Sequence, residues 1–202
     1  MSCPELEIRG TVLNQEETGE NFVRLHLFGE AGLRLCLLRK IRKLSAVSPP
    51  DLFDEVEITL QAPKNHGLPF IKEHQVIEKR MSLAFDRECF DAAGSLARFY
   101  IQNGEHLLEP LYFFQILQNA LRCLIDKGHP STVLLKSLYL FAREEGLPVK
   151  ESWFAGLSPQ TALLAQNVLK LPVKESKLYS EQVPQILESL RQWLSAETEL
   201  VC

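Results

Sequence analysis

The chain changes its hydrophobic period once. Over the first 80 or so positions the apolar residues come in short runs and alternations, the spacing of strands that bury one face. Leu6, Ile8 and Thr11 to Leu13 form a first run, and Phe22, Val23, Leu25 and Leu27 a second with polar residues interleaved. The intervening NQEETGEN predicts a polar turn. Leu33, Leu35 and Leu37 alternate with Arg34 and Cys36, so a third strand has one apolar face and can present Arg34 on the other. GEAGL predicts the hairpin joining the second and third strands. Two further strands are predicted over 52–60 and 70–77, separated by the turn-rich APKNHGLP. Five short strands in a stretch of this length predict a small barrel.

From Asp86 the apolar residues recur at three and four positions. Phe90, Ala93, Ala97, Tyr100 and Ile101 mark a first helix, with Asn103-Gly104 as its stop. A second, more apolar helix follows Pro110 and ends at Lys127-Gly128, where a lysine suits the negative end of the helix dipole. Pro130 opens a third, which Gly146-Leu147-Pro148 closes, and further helices are predicted over 159–169 and 183–194. No internal repeat appears. The expected class is α+β, with a barrel over residues 1–80 followed by an all-α domain over 81–202. In the second helix, Tyr112, Phe113 and Phe114 fan across roughly 200° of the circumference. At least one of these rings is therefore expected at the surface as part of a contact site.

Composition narrows the function. With 46% hydrophobic and 24% charged among 202 residues, the chain carries enough apolar material for a folded core. Five scattered cysteines predict neither a disulfide framework nor a cysteine-rich metal site, and fit a reducing cytoplasm. Glu5, Glu7 and Arg9 occupy positions where a signal peptide needs apolar residues, and no apolar run is long enough to cross a bilayer, so no membrane contact is expected.

The net charge is −4, yet residues 1–50 carry +1 and the remainder −5. Arg34, Arg39, Lys40, Arg42 and Lys43 lie within ten positions free of acids, and Arg24 sits on the preceding strand. Such a cluster attracts phosphates even on an acidic protein. No phosphate-binding glycine loop, nucleophile elbow or zinc-protease motif is present. No histidine lies within five residues of a cysteine or another histidine, so no short metal motif exists. Cys36, Cys89 and Cys123 lie on apolar stretches, where cysteine acts as a small hydrophobe. The expectation is a non-enzymatic protein without cofactor or metal.

The segment GTVLNQEETGENFVRLHLFGEAGLRLCLLRKIRKLS leading into PPDLFDEVEITL resembles the start of RecO, a bacterial DNA-repair and recombination mediator. DRECFDAAGSLARFYIQNGEHLLEPLYFFQILQNALRCL and LLKSLYLFAREEGLPV resemble that family's first helical hairpin and the helix and Gly-x-Pro turn after it. The likeness runs over about residues 6–150, through order and spacing of elements. It implies an OB-fold barrel and binding of single-stranded DNA. It also implies partners including a RecR-like protein and the acidic C-terminal tail of the single-stranded DNA-binding protein, with assistance in recombinase loading or strand annealing. The candidate DNA-binding residues are Arg24, Arg34, Arg39, Lys40, Arg42 and Lys43. Phe113, Arg122, Lys136 and Arg143 are the candidate partner-binding residues, since a tail of that kind needs an apolar groove and a cation. Two features depart from the family: the basic segment after the third strand has no glycine, and VKESWFAGLSPQTALL has none of the cysteines of its zinc module. The alternative reading is a protein-interaction module with little intrinsic DNA binding.

Overall fold

The computed structural model describes residues 5–40, 48–63, 67–176 and 180–202. They form two compact units, Met1–Ser82 with Gly104–Phe114, and Leu83–Asn103 with Gln115–Cys202. The first break follows Ser82. The strand unit also takes in the start of the second helix, because the hairpin tip at Gly32 lies against Pro110 and Gly104.

Five strands, β1 (Glu5–Thr18), β2 (Phe22–Gly29), β3 (Gly32–Arg39), β4 (Glu55–Gln61) and β5 (Phe70–Glu78), close into a barrel in the order β1-β2-β3-β5-β4. All ladders are antiparallel except the β3–β5 closure, where Leu37 pairs with Phe70. The expected turn at NQEETGEN is mostly strand. β1 continues through Thr18, and only Gly19 to Asn21 turn. A register shift between Val12 and Asn14 lets β1 bend, so its first half pairs with β4 and its second half with β2. One coiled strand thus serves both sides of the barrel, and β1 meets β2 very closely where they cross. A Cβ on Gly29 would stand 1.9 Å from the Arg9 carbonyl oxygen, which no side chain can tolerate.

The interior is filled by Val12, Leu25, Leu27, Cys36, Val56, Ile58, Leu60 and Ile71, with Val23 and Leu38 packed against them. This reverses the face expected for β3. The two-residue turn between Gly29 and Gly32 sets Leu25 opposite Cys36 and Leu27 opposite Arg34. Cys36 and Leu38 therefore point inward, Arg34 shares their parity at the barrel's end, and Leu33, Leu35, Leu37 and Arg39 face outward.

One end of the barrel is tied by a buried ionic knot. Arg80, 1% exposed, donates from Nη2 to Glu55 Oε2 (2.9 Å) and Glu78 Oε2 (2.6 Å), and from Nη1 to the Phe53 carbonyl (3.1 Å) and Thr11 Oγ1 (3.3 Å). Its backbone N–H donates to Oδ1 of the fully buried Asp54. Oδ2 of Asp54 accepts from the Asp51 N–H and pairs with Lys79. Arg9 donates to Oε1 of Glu55 at 2.6 Å. Phe53 enters this knot with φ of 68°, a left-handed conformation that costs a bulky residue energy and is held by the bond from its N–H to the Val12 carbonyl.

The second unit holds α1 (Arg87–Asn103), most of α2 (Pro110–Ile125), α3 (Pro130–Glu144), a short α4 (Phe154–Gly156), α5 (Pro159–Lys170) and α6 (Val183–Glu197). α3 runs through its centre against α1 and α6. Phe141 of α3 meets Phe99 and Tyr100 of α1 edge-on at 4.8 and 5.3 Å. The residue that turns the chain after α2 is Lys127, with φ of 58°, and not the glycine beside it. Gly128 is needed for space: a Cβ there would lie 2.7 Å from the Cys123 carbonyl oxygen that accepts from its own N–H.

After the Gly-x-Pro turn, Val149–Trp153 forms a π-helical turn. It is fastened to α6 reciprocally, Trp153 Nε1 donating to Ser189 Oγ and Trp193 Nε1 to Ser152 Oγ.

Replacing Arg80 by Met takes from the buried Glu55 one of its two cations, Arg9 remaining, and removes the donors to Glu78, Thr11 Oγ1 and the Phe53 carbonyl. We expect a loss of about 3–5 kcal/mol in unfolding free energy, read as a lowered urea midpoint by circular dichroism. An unchanged midpoint would contradict the role given to the knot.

Candidate nucleic-acid interface

The alternation of β2 sends Leu25 and Leu27 inward, which turns Phe22, Arg24 and His26 outward, while Phe28, of the same parity, is fully buried. Cross-strand pairing then sets Phe22 beside Arg39, Arg24 beside Leu37, and His26 beside Leu35. β5 adds Phe70, whose ring lies 5.6 Å from that of Phe22 at a 54° tilt. Phe70 and Leu35 are more than a third exposed. The outer face of β2, β3 and the start of β5 is thus an aromatic and aliphatic surface carrying cations.

The cations differ in how free they are. Arg24 reaches Glu16 across the β1–β2 ladder at 3.5 Å, and Lys40 reaches Glu17 at 3.2 Å. Both are surface pairs, each worth at most about 1 kcal/mol and readily exchanged for a phosphate. Arg39 is exposed and has no ion pair among the described residues. Arg34, also exposed, bonds among the described residues its neighbour's carbonyl alone and stands at the barrel's end, off the outward face. Arg42 and Lys43 lie outside the described residues. Desolvation lowers the pKa of His26, with Glu16 opposing the shift, so this ring stays neutral at physiological pH and contributes no charge. Sequence reading singled out the cations of this face and missed its aromatic pair. The signal was available, because Phe22 shares the parity of Arg24 and opens its strand as Phe70 opens β5.

Another part of the barrel is acidic. Glu7, Glu57 and Glu73 line a cleft formed by β1, β4 and β5, where Arg9 is taken up by Glu55. The strand unit therefore presents faces of different electrostatic character, which the net charge conceals.

The partner-binding candidates are not brought together. Phe113 is 3% exposed and belongs to the core, whereas the exposed ring of the trio is Tyr112, at 53%. Lys136 is not free to meet a ligand: its Nζ donates to the Leu169 and Leu171 carbonyls, satisfying groups left over at the end of α5. Arg122 is exposed on α2. Arg143 holds Glu144 and lines a groove of about 700 Å³ with Lys150, Lys170, Phe154 and the 61% exposed Leu163. Of the four, only Arg143 lies in this groove; its other cations were not singled out because they come from the turn after α3 and from the end of α5.

Among the described residues no cluster of His, Cys, Asp and Glu is placed to hold a metal ion, and no helix is long and apolar enough to cross a membrane. Cys36 is fully buried in the barrel, and desolvation pushes its thiol up to about 12.

No family model and no curated protein matches the chain. Among solved structures, an aspartyl tRNA synthetase from Entamoeba histolytica aligns at 14% identity, over 82% of this chain and 41% of the synthetase, with a TM-score of 0.28. A likeness at that score carries no argument about fold or function.

The thiol of Cys36 should stay protonated through pH 8, and its burial should exclude reagents. We expect an excess of maleimide at that pH to label the exposed Cys202 rapidly, and Cys36 only at the rate of global unfolding. Peptide mapping by mass spectrometry reads both, and rapid labelling of Cys36 would show the barrel to be open.

Proposed function

We propose that this protein is a non-enzymatic DNA-repair and recombination mediator of the RecO type, which binds single-stranded DNA on its barrel and partner proteins on its helical unit. The strand order β1-β2-β3-β5-β4 with a parallel β3–β5 closure supports assigning the barrel to the OB-fold, whose second and third strands commonly present the nucleic-acid face. The observation that carries the reading is the pairing of Phe22 with Phe70 on that face, flanked by Arg24, Arg39 and Lys40. Exposed rings stack on bases whatever their sequence, and cations along the strands follow the phosphates. The resemblance over residues 6–150 agrees with this use. Recombinase loading or annealing and a RecR-like partner come from that resemblance, and a cytoplasmic location from the scattered cysteines.

The groove at Arg143, Lys150 and Lys170 supports the second half of the reading. An apolar floor at Phe154 and Leu163 below three cations suits a peptide with acidic residues and a terminal hydrophobe, the chemistry of the single-stranded DNA-binding protein's tail. The alternative, an interaction module with little DNA binding, is favoured by the acids Glu16 and Glu17 beside Arg24 and Lys40.

Fluorescence anisotropy with a labelled oligothymidylate, titrated over salt, separates them. Phe70→Ala is expected to weaken binding by about 1–3 kcal/mol, and Arg39→Ala to reduce the salt slope by about one. Glu73→Gln, on the acidic cleft, should leave binding unchanged. If wild-type protein fails to bind at low salt, or both variants bind as tightly as it does, the barrel reading is wrong.

With the acidic tail peptide, Lys150→Glu and Lys170→Glu together should abolish binding. Unchanged binding would remove the groove from the proposal.

A further inference from the structure

The helix stop at Asn103 does more than end α1. Its side-chain amide is anchored by donation from Nδ2 to the Phe99 carbonyl at 2.8 Å, one turn back. The same amide meets the backbone of Val201 on both sides: Nδ2 donates to the Val201 carbonyl and Oδ1 accepts the Val201 N–H, each at 2.9 Å. This is the exchange of bonds that a residue in a β ladder makes with its partner, performed by a side chain. It reads extended backbone and is indifferent to the side chain that the backbone carries.

The segment so held, residues 198–202, is lightly attached. Thr198 bonds back to the Leu194 carbonyl and receives the Leu200 N–H, while Val201 is half exposed. Each neutral bond of this kind contributes only about 1 kcal/mol. Beside Cys202 opens a cavity of about 560 Å³ between α1, α3 and α6. Its floor is apolar, with Leu96, Phe99 and Leu138, and Arg98 and Arg191 stand among its walls. The cavity's own acid, Glu188, is engaged by Gln192, and neither arginine has an ion pair among the described residues.

We propose that this groove is a docking site for an extended peptide segment of acidic and apolar character supplied by a partner, and that residues 198–202 occupy its entrance as a displaceable strap. The strap has the required character, since it runs Glu199, Leu200, Val201. Arg98 and Arg191 supply charge complementary to the acids of an incoming segment, Asn103 pairs with its backbone, and the apolar floor receives its hydrophobic side chain. Because the strap is tethered, its effective concentration is on the order of millimolar, which holds off weak competitors until it is released. The site is separate from the groove at Arg143 and independent of any binding of DNA.

The test uses the full chain and a fluorescent peptide with the sequence of residues 197–202, carrying Ser for Cys to prevent oxidation. Val201→Pro removes the N–H that Asn103 accepts and leaves the groove intact. We expect this variant to bind the peptide at least about ten-fold more tightly than wild type. Adding Arg191→Glu or Asn103→Ala to it should abolish the gain. Hydrogen exchange should show the Val201 amide protected in wild type and released by Asn103→Ala, a readout that does not depend on the peptide. The proposal fails if natively folded Val201→Pro does not bind the peptide, if Arg191→Glu leaves its binding unchanged, or if the released chains dimerise through the groove instead.

Discussion

The burial of one guanidinium organises the strand unit. Arg80 draws together β1 through Thr11, the turn before β4 through Phe53 and Asp54, β4 through Glu55 and the end of β5 through Glu78. Thr11, the 53–55 stretch and Arg80 lie far apart in sequence, so this one side chain ties three separate parts of the strand unit at one end of the barrel. Desolvating so many charges is favourable only because each carboxylate faces a cation in good geometry. The same demand for geometry holds Phe53 in a backbone conformation that a phenylalanine would otherwise avoid. The ionic end is therefore cooperative: its members are stable together and costly apart.

Much of this fold was legible in the chain because periodicity reports which face of an element is wet. The helices over 87–103, 130–144, 159–170 and 183–197 follow their proline and glycine punctuation closely. What periodicity could not give was the parity of β3. Its leucines look like the buried set, but the two-residue hairpin couples its register to β2, whose inward residues are fixed by Leu25 and Leu27. A six-atom cysteine fills the space opposite Leu25, and the leucines are left to build an outward apolar face.

The knot was illegible for a different reason. Arg80, Asp54 and Glu55 are charged residues in a polar stretch, and only the closed barrel makes them an interior. Lys136 deceived in the same way, since a helix carbonyl 33 residues away claims its ammonium. The local charge cluster was visible, whereas the acids that share it, Glu16 and Glu17, were hidden in what read as a turn.

The reciprocal bonds of Trp153 and Trp193 carry a consequence for how this molecule can be observed. The chain has two tryptophans, and both sit on the seam between the π-helical turn and α6. No tyrosine or tryptophan lies in any of the five strands. Emission from the indoles is thus a private signal of the helical unit, dark to whatever the barrel does, while the far-ultraviolet signal sums both. Where the two transitions separate, the gap between them measures how independently the two units melt.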